Sequence, residues 1–209
     1  DPLCLLPDSQ SADEAQGGGE VGNGSPEPKR LSTESPEAFM SRVLTMAPDY
    51  LIRELQPDDL DYIAANLRAA DARELRAASG HSNYRDRLTM AVAESSEVRI
   101  VEHDGRPILV FGFAPLDETT AGVWAVGTST VSRFRAPLVR ETRNVIRRWF
   151  EEHSKLRYLV NFTHASNRLY LRWLRSIGAT VFPRKPIGFQ GELFRPFVIE
   201  RSAACATPA

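Results

Sequence analysis

The stretch of sequence that decides the fold covers residues 167–182 and reads NRLYLRWLRSIGATVF. Apolar side chains recur in it at helical spacing and arginines form the opposite stripe, which predicts a short amphipathic helix. Gly178 stands where a helix needs a terminating residue in the left-handed conformation. Residues 157–162, RYLVNF, alternate like a strand. These signals predict a strand, a loop, a helix and a further strand in immediate succession.

Length and composition limit the chain to about one domain. It has 209 residues, 42% of them hydrophobic, which is enough for a core of its own. Residues 1–40 hold eight acidic and two basic side chains, whereas residues 133–185 hold 13 lysines and arginines against three acids. The formal net charge of −1 therefore conceals an acidic N-terminal segment and a basic C-terminal half.

Cysteine usage and hydropathy argue against several classes of protein. The two cysteines, Cys4 and Cys205, both lie in predicted tails, so neither a disulfide framework nor a structural zinc site is expected. The first residues lack the basic segment of a signal peptide, and no run approaches the ~20 apolar residues of a membrane span. We expect a soluble protein of a reducing cytoplasm, without a membrane segment and without a metal site.

Composition also divides the chain into three segments. Residues 1–45 are rich in Gly, Ser, Pro and acids, and this acidic leader is predicted to be disordered. Residues 46–201 form one folded domain, and residues 202–209 form a second disordered tail. Met40 and Met46 are both plausible native starts, so part of the leader need not be native.

Strand and helix patterns alternate between the two tails. The turn Asp104-Gly105 is a strong hairpin signal between the second and third strands. The order predicts an α/β fold with a mixed, mostly antiparallel central sheet flanked by helices. We predict strands at 50–55, 97–103, 107–115, 122–129, 157–162, 179–183 and 193–200, and helices at 60–78, 137–153 and 167–177.

This order of elements resembles the GNAT acyltransferase superfamily over residues 50–201, with IRELQPDDLDYI as a typical opening. Residues 124–201 resemble more closely the GNAT-like internal virion protein A family of short-tailed (podoviral) phages. There an aromatic strand, a basic helix, a strand, Asn, a helix, the letters IGA and a closing hairpin recur. The resemblance implies a GNAT-like fold and places the chain in the bacterial host cytoplasm during infection and in the virion interior.

Active members of the superfamily hold the pyrophosphate of coenzyme A on a glycine-rich turn, Arg/Gln-x-x-Gly-x-Gly/Ala, at a helix N-terminus. The corresponding residues 132–138 read SRFRAPL and contain no glycine, while Pro137 removes one amide donor. Arg133 and Arg135 remain as side chains that would contact a phosphate if acyl-CoA binds. The resemblance therefore implies a weakened cofactor cradle.

A second motif of the active enzymes, Asn-x-x-Ala-x-x-Leu-Tyr-x-x-x-Gly, lies along the next helix. Asn167 and Gly178 match it, and Asn167 is the third residue that the resemblance assigns to acyl-CoA binding. Tyr170 replaces the alanine that leaves room for the cofactor, and Leu174 replaces the tyrosine that protonates the leaving thiolate. We expect the bulk of Tyr170 to obstruct the cofactor. We also expect that Tyr170 does not act as the acid, because it lies one helical turn before the position of the catalytic tyrosine.

A catalytic base is the third requirement of acyl transfer. The central strand GVWAVGTS, residues 122–129, offers neither Glu nor His. His164, at the end of the next strand, is the weak remaining candidate for proton transfer.

Two functions of different classes follow. The main hypothesis is a GNAT-fold phage protein with a degenerate acyl-CoA site, which binds no cofactor and acts in virion morphogenesis as a structural or binding component. The alternative is an acetyl-CoA-dependent N-acetyltransferase with a divergent active site, acting on a host or phage amine. A V-shaped gap left open beside Tyr170, between the strands 122–129 and 157–162, would favour the alternative.

The arginines of residues 133–185 form the basic region of the chain. A solvated face is the simplest interpretation of such a charge run. The other interpretations are a phage or host protein partner of acidic character, nonspecific nucleic acid, and the acidic leader of the chain itself. No recognised nucleic-acid motif accompanies the arginines, which argues against sequence-specific binding.

Overall fold

The computed structural model describes residues 50–205. The predicted disordered leader, residues 1–45, and residues 206–209 lie outside the described residues. Its strands are β1 (Leu51–Arg53), β2 (Glu97–His103), β3 (Arg106–Pro115), β4 (Thr120–Gly127), β5 (Tyr158–His164), β6 (Thr180–Val181), β7 (Lys185–Pro186) and β8 (Leu193–Glu200). Its helices are α1 (Asp59–Ala65), α2 (Ala69–Ser79), α3 (Tyr84–Glu94), α4 (Arg135–Glu152), α5 (Arg168–Ser176) and α6 (Arg201–Cys205), and a 3₁₀ helix (Ser129–Phe134) leads into α4.

The strands form one sheet in the order β1-β2-β3-β4-β5-β8-β6, with β7 also paired to β8. Strands β4 and β5 are parallel, and the other neighbouring pairs are antiparallel. This arrangement confirms the predicted α/β fold with a mixed, mostly antiparallel sheet. The predicted hairpin is also present, because Asp104 and Gly105 both adopt the positive φ values, 50° and 70°, that its tight turn requires.

Helix α3 is an element that the sequence analysis missed. It is capped by Asn83, whose side-chain oxygen accepts a hydrogen bond from the amide of Asp86. Only Leu88 and Ala91 along it are buried, so its apolar period is too weak to stand out. The prediction of one or two helices at 60–78 is confirmed by α1 and α2, and Gly80 ends α2 in the left-handed conformation.

The helices cover both faces of the sheet with separate apolar clusters. On one face α4 and α5 contribute Trp149, Phe150 and Leu174 to a cluster that includes strand residues such as Phe197. On the other face, α1 and α3 pack on β2, β3 and β4. Strand β3 supplies both clusters, since Val110 points to one face and Phe113 to the other. Apolar burial on both faces is the main source of stability for such a layered fold.

An ionic cluster ties α1 to the edge of the sheet. Arg53 donates to both carboxylate oxygens of Asp59, at 2.6 and 2.8 Å, and to Glu102 of β2. Burial alone would raise the pKa of Asp59, but the hydrogen bonds from Arg53 and from the amide of Gln56 outweigh it and lower the pKa. Asp59 therefore stays ionised and holds the start of α1 against β1.

The C-terminal tail was predicted to be unstructured from residue 202, and this is corrected for its first residues. Helix α6 continues directly from β8 through Cys205. Arg201 anchors it by donating to the carbonyl oxygens of Ser154 and Leu156, and Ala204 packs against the cluster under α4. Tertiary contacts that no local pattern reveals therefore order this segment.

Candidate active site

The central strands β4 and β5 separate part-way along the sheet. They pair at three positions only, the last of which places Gly122 opposite Val160. Just beyond, the side-chain amide of Asn161 donates to the carbonyl oxygen of Val123 at 2.7 Å. No further residues of these two strands pair, and a V-shaped gap opens between them. This open gap is the feature that we associated with the acyltransferase alternative.

One cavity occupies the gap, and a second adjoins it at Ala125 of β4. The first, which we name the α2 cavity, has a volume of about 400 Å³ and is lined by α2, α3, β4, β5 and β8. The second, which we name the α5 cavity, has a volume of about 330 Å³ and lies between α4 and α5. Asp71, Ala125 and Tyr170 line both cavities. These three residues mark the junction at which the two spaces meet.

Glu74 of α2 brings a carboxylate to the α2 cavity. One of its oxygens accepts hydrogen bonds from the hydroxyl of Thr163, at 2.8 Å, and from the side-chain amide of Asn167, at 3.0 Å. These donors come from the end of β5 and from the start of α5. Glu74 is therefore held across the gap by two elements far away along the chain.

Burial raises the pKa of Glu74 above its ordinary value of 4.5. The hydrogen bonds from Asn167 and Thr163 act in the opposite direction, and the neighbouring charge of Asp71 raises the pKa further. A carboxylate with a raised pKa beside a cavity has the character of a general base. Glu74 thus has this character at the gap, where the strand 122–129 offers neither Glu nor His.

Asp71 lies at the junction but is already neutralised. It forms an ion pair with Arg68, and its other oxygen accepts the amide of Gly127 at 3.0 Å. Because these bonds satisfy both oxygens, Asp71 joins the start of α2 to the end of β4. Of the two carboxylates that line the α2 cavity, Asp71 is therefore paired with a cation, whereas Glu74 is hydrogen-bonded to neutral donors.

Tyr170 forms the wall between the two cavities rather than filling either one. Its ring stacks on Trp173, with centroids 5.1 Å apart and an interplanar angle of 24°. Burial, followed by the charges of Glu74 and Asp71, strongly raises the pKa of its hydroxyl. The expectation that Tyr170 obstructs the groove is not supported, since the α5 cavity remains open beside it.

The two other motif positions on α5 are structural. Asn167 is buried and caps the helix, its side-chain oxygen accepting from the amide of Tyr170, while its nitrogen donates to Glu74. Both polar atoms of Asn167 are thus engaged within the protein, which makes it a residue that positions Glu74. Leu174 is buried in the core beneath α4 and α5.

The start of α4 borders the α5 cavity through Ser132 of the preceding 3₁₀ helix. Phe134 at the cap position makes no side-chain capping bond, and no acid stands in the first turn, so this end of the helix dipole is not neutralised by a nearby carboxylate. Arg133 is exposed on the 3₁₀ helix, and Arg135 is the first residue of α4. These features suit an anionic group, although the glycine-rich turn is absent.

His164 lies at the end of β5 but lines neither cavity. Its ring nitrogens contact the hydroxyl of Ser166 at 2.7 Å and the carboxylate of Glu192 at 3.2 Å, and its ring meets Phe194 edge to face. These contacts fix the imidazole beside Phe194 of β8. The sequence pointed to His164 because of its place at a strand end, whereas no local signal pointed to Glu74.

The exposed arginines differ in their surroundings. On α4, Arg147 and Arg148 pair with acids four residues further on, and Arg148 also pairs with Glu97. On α5, Arg172 lines the α5 cavity, whereas Arg175 faces solvent away from it. Partners of the basic region stay predictions.

Two further findings concern residues 50–205. No group of three His, Cys, Asp or Glu side chains among them is placed to hold a metal ion. None of their helices combines the length and apolarity that a bilayer span requires.

Comparisons with known proteins identify the fold. No protein-family model and no curated protein matches the sequence. Among solved structures, Ard1 from Thermoplasma volcanium matches with a TM-score of 0.56 and 13% identity over 73% of this chain and 97% of that chain. A GNAT-family acetyltransferase from Streptococcus pneumoniae matches at 0.52 and 12%, over 72% and 98%. Spermidine N-acetyltransferase from Vibrio cholerae, solved with CoA and spermine, matches at 0.54 and 12%, over 76% and 99%.

These matches span nearly the whole length of the acetyltransferases, and the chain has the GNAT fold. At such low identity the likeness establishes the fold alone. The more specific resemblance to the internal virion protein A family of phages, with its host-cytoplasm or virion location, stays a prediction.

Proposed function

We propose that the chain is an acyl-CoA-dependent N-acyltransferase, which moves an acyl group from the thioester to an amine. The observation that carries this proposal is the open gap between β4 and β5, where two cavities meet at Tyr170 and Ala125. Two separate spaces with one junction suit a reaction between two substrates. A binding component without chemistry has no need of such a junction.

The α5 cavity fits the acyl donor. Its walls include Leu138, Val139 and Trp173, which suit a flexible, largely apolar arm, and Arg172 and Ser132 also line it. The start of α4 follows the 3₁₀ helix that carries Ser132, and because it has no side-chain cap and no acid in its first turn it favours negative charge such as a phosphate. Arg133 and Arg135 are the further cations proposed for the phosphates, in place of the missing glycine turn. The residues proposed for the coenzyme A site therefore fit it mainly through their side chains, rather than through a cradle of backbone amides.

The α2 cavity supplies the proton chemistry. Acyl-CoA, when bound, provides the thioester carbonyl. Glu74 can take the proton that the amine loses as it attacks, because its carboxylate lines the cavity and its raised pKa makes it a stronger base than an ordinary glutamate. The motif spacing placed Tyr170 one helical turn too early for the acid, but Tyr170 lines both cavities, and its hydroxyl, which stays protonated, is our candidate to donate a proton to the sulfur as the carbon–sulfur bond breaks. Asn167 and Thr163 hold Glu74 in place.

Calorimetric titration of the protein with acetyl-CoA tests the donor site directly. The matched variants are Arg172→Glu and Arg175→Glu, which reverse the same charge on the same exposed helix. Only Arg172 lines the α5 cavity, so we expect Arg172→Glu to weaken binding by roughly tenfold and Arg175→Glu to leave it within about twofold. Equal effects of the two variants would show that acetyl-CoA senses only the general charge of α5.

Thermal melting with acetyl-CoA tests the predicted roles of Arg133 and Arg135. A ligand that binds only the folded state raises the melting temperature by mass action. We expect an upward shift for the wild type and a smaller one for the double variant Arg133→Ala plus Arg135→Ala. Complete absence of a shift in the wild type, together with no heat in the titration, would reject the acyltransferase and return the chain to the virion-component hypothesis.

A further inference from the structure

The α2 cavity has both polar and apolar walls. Its polar lining residues other than Asp71 and Glu74 are Ser79, His81, Arg87 and Asn161, none of which carries negative charge. The indole nitrogen of Trp124 already donates to the hydroxyl of Ser95 at 2.9 Å. The remaining walls present rings and aliphatic groups, chiefly those of Leu88, Met90, Trp124, Phe162 and Phe194.

The cavity can neutralise only one cation. Asp71 is paired with Arg68 and bonded to the amide of Gly127, which leaves Glu74. Glu74 receives three hydrogen bonds, from Thr163, Asn167 and the backbone of His164. A carboxylate offers about four acceptor sites, so one remains for the ammonium of a substrate.

A second ammonium group in the cavity would be unfavourable. It would lie against Trp124, Phe162 and Phe194 without a hydrogen-bonding anion, and burying an unpaired charge is costly. By contrast, an aromatic or branched aliphatic body would match the walls through area burial and ring contacts.

Resting on the proposed N-acyltransferase function, we propose that the amine acceptor is a small primary monoamine with an apolar, ring-bearing or branched body. Polyamines and lysine-rich peptides are excluded by the same walls. The chain would therefore differ in substrate class from the spermidine N-acetyltransferase whose fold it shares.

The test uses phenethylamine and spermidine as probes, first without acyl-CoA. Calorimetry on the full chain should show phenethylamine binding at least about tenfold more tightly than spermidine. Coupled release of the CoA thiol with acetyl-CoA should then show the same preference in kcat/KM. Because the binding experiment needs no donor, it tests the acceptor class even if acetyl-CoA fails to bind and the acyltransferase proposal falls.

A pair of variants separates the cavity from general surface charge. Met90→Glu places a further carboxylate in the lining, in addition to Glu74 and the paired Asp71, whereas Ala93→Glu adds the same charge on an exposed position of α3 outside the cavity. Both sites are exposed, so neither change should unfold the protein. Met90→Glu should shift the preference towards spermidine by roughly tenfold, and Ala93→Glu should leave it unchanged. Tighter binding of spermidine by the wild type, or equal shifts in both variants, would overturn the inference.

Discussion

The α2 cavity and the α5 cavity share a wall but differ in charge and in origin. The α2 cavity is built largely from α2 and α3 and holds the carboxylate of Glu74 among aromatic side chains. The α5 cavity is built largely from α4 and α5 and has Arg172 in its lining and an uncapped helix end at its border. The α2 cavity thus suits a cation and the α5 cavity an anion. Under the proposed function, this difference would keep an amine apart from a phosphate-bearing donor until the two react.

Loss of the Glu74 carboxylate should have the largest effect, because this group gives the α2 cavity the charge that distinguishes it from the α5 cavity. Glu74→Gln keeps the shape and the acceptor oxygen for Thr163 and Asn167 but removes the base. We expect kcat for acyl transfer to fall by roughly a hundredfold, because proton transfer by a positioned group contributes about that much. Acetyl-CoA affinity should stay unchanged, since the α5 cavity is untouched. Initial rates of thiol release measure the first effect and calorimetry the second; a variant that retains a third of the wild-type rate would remove Glu74 from the mechanism.

Removal of the Tyr170 hydroxyl should lower kcat by less than the change at Glu74. Tyr170→Phe retains the ring that stacks on Trp173 and so preserves the wall. The loss of one proton donor at the junction should lower kcat by roughly tenfold, equivalent to about 1.4 kcal/mol. Unchanged kcat with a normal melting temperature would mean that Tyr170 serves as a wall only. Single-turnover rates at saturating acetyl-CoA provide the measurement.

The hydrogen bonds that hold Glu74 can be weakened by a substitution outside the proposed contacts with the acyl donor and the amine. Thr163→Val has nearly the same shape and removes one hydrogen bond that favours the ionised carboxylate, so the pKa of Glu74 should rise further. The acidic limb of the pH–rate profile should move to higher pH by about one unit. An acidic limb that stays in place would assign the titration to another group.

The smallest expected effect is on stability. The pKa of Glu74 is higher in the folded than in the unfolded protein, so its contribution is fully present below 4.5 and is lost as pH rises through the folded value. Glu74→Gln removes this dependence. Urea unfolding at several pH values should show the variant gaining stability relative to the wild type as pH rises, by about 1.4 kcal/mol for each unit of raised pKa. A constant difference across pH would contradict a raised pKa.

The fold could be predicted in large part because its signals are local. The hairpin at Asp104-Gly105, the capped helix before Gly178 and the strand Leu193–Glu200 all follow from patterns a few residues long. Helix α3 was not predicted, because only two of its residues, Leu88 and Ala91, are buried. Local patterns decide elements whose apolar period is strong and fail where tertiary contacts decide.

The site could be predicted only in part for the same reason. Glu74 meets Thr163 and Asn167 across 89 and 93 residues of sequence. Nothing in the charged pattern of α2 distinguishes Glu74 from Asp71, which pairs with Arg68 at the N-cap of the same helix. Motif spacing did identify Tyr170 as an exceptional position, but not that a cavity remains on both sides of its ring.

The amide of Asn161 fixes the depth of the gap. Its nitrogen donates to the carbonyl of Val123 and its oxygen accepts from the amide of Phe162, so both polar atoms bond to main chain at the apex. Strands rise by roughly 3.3 Å per residue, and moving this amide two residues along β5 would displace the floor by about 6–7 Å. Asn161 lines the α2 cavity, so under the proposed function this one side chain sets how deeply the body of an amine acceptor can reach into the sheet.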